Sequence, residues 1–283
     1  MISESAKENP PKPTVKQLLG DAVSYARSNF KMFLLYGGGL VVVFKLIGVI
    51  QRQIGIYGTP LLYDLINWPI YFFGVFLKAI FAYNVHRFVL LRQRKISFAL
   101  DQTFWLFFAA VLALQLAFAI PEELFGSFVT PERLSEWRQG QPPISSPMWF
   151  LLGPLASIVT SFIVLFLAAP FLAAPPSIVA SGKFSIGASL AIGRALYWPI
   201  VWGLLLLNLV LSLYAFLVGL GDWRLITNFI SMEEDRFTFV SMTLRTVLLA
   251  PVSFFSVLLG ATFTAAAYIR GSKYLGLPDP TRN

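Results

Sequence analysis

The sequence predicts an all-α, polytopic membrane bundle of six transmembrane helices with interfacial helices on the cytoplasmic side. Three observations predict it. Hydrophobic residues make up 57% of the 283-residue chain and charged residues only 13%, whereas a soluble domain is nearer half apolar and a quarter charged. Apolar runs of about 20 residues or more recur along the chain, the length that crosses a bilayer core. The segments between them are short, and basic residues gather in alternate ones.

The chain opens with a polar, proline-bearing stretch, residues 1–13 (MISESAKENPPKP), expected to be a disordered cytoplasmic tail. Thr14 and Gln17 then stand at the spacing of a capping box, in which hydroxyl and amide side chains satisfy each other's free backbone N–H groups. Val15, Leu18, Leu19, Ala22, Val23, Ala26 and Phe30 recur at helical spacing, and Lys16, Asp21, Ser24, Arg27 and Lys31 fall mostly elsewhere around the helix. Residues 14–29 therefore read as an amphipathic helix lying in the interface. Spans are predicted at 30–51, 63–91, 98–120, 148–176, 196–221 and 236–270, within a membrane domain of residues 30–275. A cytoplasmic tail, residues 276–283, follows. Pro69, Pro154, Pro170, Pro199 and Pro251 lie within or at the ends of these spans, where neighbours must satisfy the backbone groups they free. Thr130-Pro131-Glu132-Arg133 carries the start signals of a short loop helix.

Between the fourth and fifth spans, Pro175-Pro176 reads as the exit of one membrane helix. A small-residue segment bearing only Lys183 and Arg194 follows as a surface helix, and Tyr197-Trp198 opens the next span. The same order occurs near the N-terminus. Residues 19–30 align with residues 186–197 at a constant offset of 167, matching Gly20 with Gly187, Arg27 with Arg194 and Phe30 with Tyr197. Each copy comprises a surface helix, an arginine, an aromatic anchor and a span. In both, the arginine is a candidate contact for lipid headgroups.

Net charge is +8, which in a soluble protein would suggest nucleic acid. Here the basic residues concentrate in Lys7–Lys31, Arg87–Lys95, Lys183–Arg194 and Arg270–Arg282, while the alternate loops hold Arg52, Arg133, Arg138, Arg224 and Arg236. That bias predicts cell inner membrane topology with both termini cytoplasmic, and no nucleic-acid partner. The absence of cysteine excludes disulfides and a thiol nucleophile. The first 29 residues are too polar, and the first apolar run too long, for a cleavable signal peptide.

Enzyme signatures are missing. His86 is the only histidine, and one histidine cannot supply a zinc site; a Ser/His/Asp triad would have to recruit it, and no nucleophile turn stands near it. Gly37-Gly38-Gly39 lies inside an apolar span, where a notch for helix packing is expected rather than a phosphate cradle. No catalytic residue, metal or cofactor is therefore predicted. The ionisable residues inside spans carry more information, because charge at membrane depth is costly and is paired or faces a cavity. Lys45, Asp64 and Arg245 fall in one half of the bundle by span order, with Asp64 able to neutralise either cation. Lys78 and Asp101 fall in the other half and are candidates to pair across adjacent helices. Snorkelling and structural pairing are the expected roles. On the sixth span, Ser253, Ser256, Gly260, Thr264, Ala267 and Gly271 form a stripe of small residues, expected as a helix-packing face or a seam for a second copy.

The Pro-Pro exit, small-residue surface helix, arginine and aromatic re-entry resemble a group of bacterial six-span inner-membrane proteins. That group includes the membrane domain fused to some glycerophosphodiester phosphodiesterases and related stand-alone proteins of unassigned function. The resemblance spans residues 14–275 at the level of pattern. It implies the bundle but not the phosphodiesterase activity, because the catalytic domain is absent from this chain. In that group an acidic residue often precedes the small-residue helix, and Ser181-Gly182-Lys183 stands here instead. The sequence thus leads to a non-enzymatic scaffold or envelope-associated partner, contacting the bilayer and another membrane protein or a second copy of itself. The alternative is a small transporter or channel using Lys45, Asp64, Lys78 and Arg245. Clustering of these charges around one water-accessible cavity would favour transport, and separate pairs with no cavity would favour the scaffold.

Overall fold

The computed structural model describes residues 10–57, 60–93, 100–126, 159, 162–228 and 234–278, without the side chains of 49–57, 60–64, 67, 119–126, 215–216, 219–228 and 234–247. Residues 1–9 of the predicted tail, the predicted loop helix at Thr130 and most of the last tail lie outside the described residues. The described chain is all-helical, and five of its helical stretches are long and apolar enough to cross a membrane: Phe30–Gly48, Trp68–Leu91, Phe162–Ser181, Tyr197–Tyr214 and Leu248–Tyr274. The apolar stretch Gln102–Phe118 is shorter. Large apolar side chains such as Leu35, Leu167, Leu209 and Val210 point outward and are mostly exposed, as expected of a multi-pass protein whose outer surface meets lipid.

Helix α1 (Val15–Ser28) begins with the predicted capping box. The Thr14 amide donates to Gln17 Oε1 at 2.9 Å, and the Gln17 amide donates to Thr14 Oγ1 at 3.3 Å. Its buried face is Leu18, Ala22 and Ala26, one residue per turn, and it packs on the last and the penultimate helices. Asn29 leaves helical geometry, and Phe30 opens α2 (Phe30–Tyr57).

Helices α2 and α3 (Pro60–Leu91) pack side by side. The Phe81 ring lies over Gly37, and the Phe44 ring lies over Gly74, each in space that a Cβ would occupy. The two contacts run in opposite senses along the helices, which makes the pair antiparallel. Between apolar helices in lipid there is little hydrophobic gain, so such close ring-on-backbone packing is what holds them. In the triple-glycine run only Gly37 receives a residue of another helix; Gly38 meets Leu34 of its own helix, and Gly39 meets nothing.

Helix α4 (Gln102–Gly126) starts at Asp101, whose Oδ1 accepts from the Phe104 amide at 2.7 Å and from the Tyr83 hydroxyl at 3.1 Å. The next described stretch breaks at a 3₁₀ turn, Ala169–Phe171, and resumes as α5 (Ala174–Ser181). Pro175-Pro176 does not end a helix, contrary to expectation. The two prolines occupy the first turn of α5, where a missing N–H costs nothing and the fixed φ suits helix initiation. The stop is Gly182, left-handed at φ 67°. Helix α6 (Ile186–Ala195), α7 (Tyr197–Asn228) and α8 (Glu234–Tyr274) complete the order.

The aligned segments form matching structures. Both α1 and α6 carry an arginine in the last turn, Arg27 or Arg194, and both end on a non-helical residue, Asn29 or Leu196. An aromatic residue then opens the following long helix. Aligned positions are buried in both: Ala22 with Ser189, and Ala26 with Gly193. Both helices pack on α8, which touches α1, α2, α3, α5, α6 and α7 and forms the centre of the bundle.

Candidate functional site: a polar-lined cavity beside the last helix

Helix α3 brings Lys78 and His86 to α8, and the two helices run parallel there. Lys78 shares a small crevice with Ser253, while His86 reaches Thr264. Where α4 closes on α3, a cavity of about 470 Å³ remains between α3, α4, α5, α7 and α8. Its polar lining is Lys78, His86, Gln115, Ser253, Ser256 and Thr264, and no described lining residue is a carboxylate. Phe107, Val111, Leu114, Leu172, Leu204 and Val257 supply apolar walls.

At one end of the cavity the polar groups are satisfied. His86 is 2% exposed. Its Nδ1 lies 2.7 Å from the Ala82 carbonyl, which can only accept, so Nδ1 carries the proton. In the neutral ring Nε2 is then an acceptor, 3.1 Å from Thr264 Oγ1. The Thr264 hydroxyl also faces its own helix's Gly260 and Ala261 carbonyls at 3.0 and 3.1 Å. The rings of Phe107 and His86 pack edge to face.

Elsewhere in the cavity the polar groups have capacity to spare. The side chains of Ser253, Ser256 and Gln115 make no hydrogen bond with a described residue. This sets them apart from Ser177, Ser181, Ser189 and Thr262, which donate to a carbonyl three or four residues back in the usual way of helical hydroxyls. The Lys78 ammonium stands 5.0 Å from the centre of the Phe44 ring. That ring, seated over Gly74, gives it a cation–π contact that leaves its three N–H donors without an acceptor among the described residues.

The candidate residues therefore separate. Lys78 lines the cavity but does not meet Asp101, which is taken up by the start of α4 and by Tyr83. A carboxylate just before a helix is best placed to accept that helix's free N–H groups, and this competes with a partner farther along α3. Lys45, half-buried on α2, is near enough to Lys78 for their charges to interact. The side chains of Asp64 and Arg245 lie outside the described residues. On the stripe of small residues, Ser253, Ser256, Gly260 and Thr264 line the cavity. Ala267 and Gly271 are buried, Gly271 against Ile192 and Leu196. Arg27 and Arg194 are exposed.

One ion pair was not anticipated. Asp21 of α1 meets Arg270 of α8 through two bonds, Nε to Oδ2 at 2.5 Å and Nη2 to Oδ1 at 2.9 Å. Beside it, burial and then the Asp21 carboxylate push the Tyr25 phenol above its ordinary range. The histidine bridge and the cavity also escaped sequence reasoning. The available signal was the alignment of Lys78 and His86 on one face of α3, eight residues apart.

Comparison with protein-family models, with curated proteins and with solved structures finds no match to the chain.

Proposed function

We propose that the protein is a non-enzymatic, multi-pass protein of the cell inner membrane that binds a small ligand inside its helix bundle and moves it, as a transporter or channel does. Six spans, both termini in the cytoplasm, and α1 and α6 as helices in the cytoplasmic interface belong to this reading. The observation that carries it is the group formed by Lys78, Gln115, Ser253 and Ser256 on one cavity, with no acceptor or donor partner among the described residues. Ionisable groups at membrane depth are costly unless paired or facing a polar cavity, and they mark pathways for solutes and ions. A pure scaffold has no need of a lysine there. Three unused neutral polar groups beside it supply further contacts for a ligand.

The native chain has no cysteine, so single cysteines report without background. Ser253→Cys and Ser256→Cys are expected to react with small water-soluble thiol reagents in lipid nanodiscs, and Leu209→Cys on the outer surface is expected to stay unreactive. Inert cysteines at both cavity positions would return the scaffold reading. Reporter fusions test the topology, with cytoplasmic signals expected at residues 93 and 182 and external signals at 140 and 228. A reversed pair would overturn it.

A further inference from the structure

We infer that the cavity selects a singly charged anionic amphiphile, with its head at Lys78 and its apolar body along the walls toward His86. This rests on the reading of the cavity as a ligand site. Lys78 is the one fixed charge among the described lining residues, and no described carboxylate opposes it. A cation in such surroundings draws anions and repels other cations. Ser253 on α8 shares a crevice with Lys78, and Gln115 on α4 lines the same cavity. Both can donate to an anionic head, and neither is used within the protein. A compact ammonium is a point charge rather than a bidentate fork, and it suits a head carrying one charge.

The other end of the cavity fits an apolar body. His86 has both nitrogens occupied, and Thr264 has acceptors for its hydroxyl. From Lys78 to His86 is eight residues along α3, about 12 Å. Phe107 lies against His86. The cavity thus carries a charge at Lys78 and apolar walls, Phe107 among them, where the polar groups are already satisfied. A long-chain carboxylate has that chemistry.

The test uses Ser253→Cys in the full-length protein in nanodiscs, with a pair of methanethiosulfonate reagents. One carries a sulfonate and the other a trimethylammonium group. Relative to the same pair's rates on free cysteine, the sulfonate reagent is expected to react about tenfold faster than the trimethylammonium reagent. Lys78→Gln should remove that preference, and Lys78→Arg should keep it. Dodecanoate below its micellar concentration should slow labelling of Ser253→Cys, and dodecyltrimethylammonium should not. Equal rates for the two reagents, a preference for the cation, or no protection by dodecanoate would overturn the ligand class, even where Lys78→Gln fails to fold. Absence of reaction with either reagent would instead remove the cavity as a ligand site.

Discussion

Asp21 and Arg270, 249 residues apart, close the bundle on itself: the carboxylate of the first helix accepts two bonds from the guanidinium near the end of the last. The paired geometry holds α1 at a fixed rotation on α8, with Leu18, Ala22 and Ala26 turned inward. Both side chains keep about a third of their exposure, 34% and 28%, so water screens the pair. A coupling of about 1 kcal/mol is expected, at the upper end for exposed pairs. A double-mutant cycle of Asp21→Asn and Arg270→Gln, read as thermal stability in detergent, checks it. Additive effects would show that α1 is held by its apolar face alone.

Gly193 faces the backbone of Pro170, with no room for a Cβ. Gly187, on the same helix, faces open space. Gly193→Ala should therefore destabilise by about 1–3 kcal/mol, since a backbone neighbour cannot rotate aside. Gly187→Ala should be neutral or stabilise by up to about 1 kcal/mol through helix propensity. Comparing the two melting temperatures separates the steric effect from any general sensitivity of α6. Similar shifts in the same direction for both would contradict the packing described.

The contrast along α8 shows how much was legible beforehand. Helical periodicity collects Ser253, Ser256, Gly260, Thr264, Ala267 and Gly271 on one face, but it does not say what opposes that face. At Gly271 the opposing atoms are Ile192 and Leu196, and at Gly260 there are none within reach of a Cβ. Cavity and packing seam therefore look alike in sequence. Local signals fared better, because the atoms that satisfy them lie within a turn: the Thr14–Gln17 box forms as its spacing dictates. Pro175-Pro176 was misread because a proline pair fits the first turn of a helix as well as the segment beyond its end. Asp21–Arg270 and His86–Thr264 depend on contacts across 249 and 178 residues, and no single-sequence pattern encodes such pairings.

Thr264→Val keeps the shape of the side chain and removes the hydroxyl that reaches His86. It leaves Nε2 without its partner in a buried site, which costs about 1–3 kcal/mol. Thr264→Ser should retain most of the stability. A larger loss for Thr264→Ser than for Thr264→Val would mean that the methyl group, not the hydrogen bond, matters at this contact.

Asp101 serves α4 and Tyr83 together, so its replacements should grade. Asp101→Ser preserves a capping oxygen and is expected to cost less than Asp101→Ala, which should lose about 0.5–2 kcal/mol. Tyr83→Phe removes only the cross-helix bond and should be milder than Asp101→Ala. Thermal melts of the three variants order them, and a Tyr83→Phe loss exceeding that of Asp101→Ala would contradict the capping role.

The central claim is that the cavity beside α8 holds a ligand. Native mass spectrometry of the protein purified in mild detergent, with Lys78→Gln alongside, tests it most directly. The expected result is a small acidic amphiphile bound one to one to the native chain and lost from Lys78→Gln, with Lys78→Arg retaining it. A native chain that carries no such molecule, even after incubation with dodecanoate, or one whose bound species is unchanged by Lys78→Gln, would contradict it.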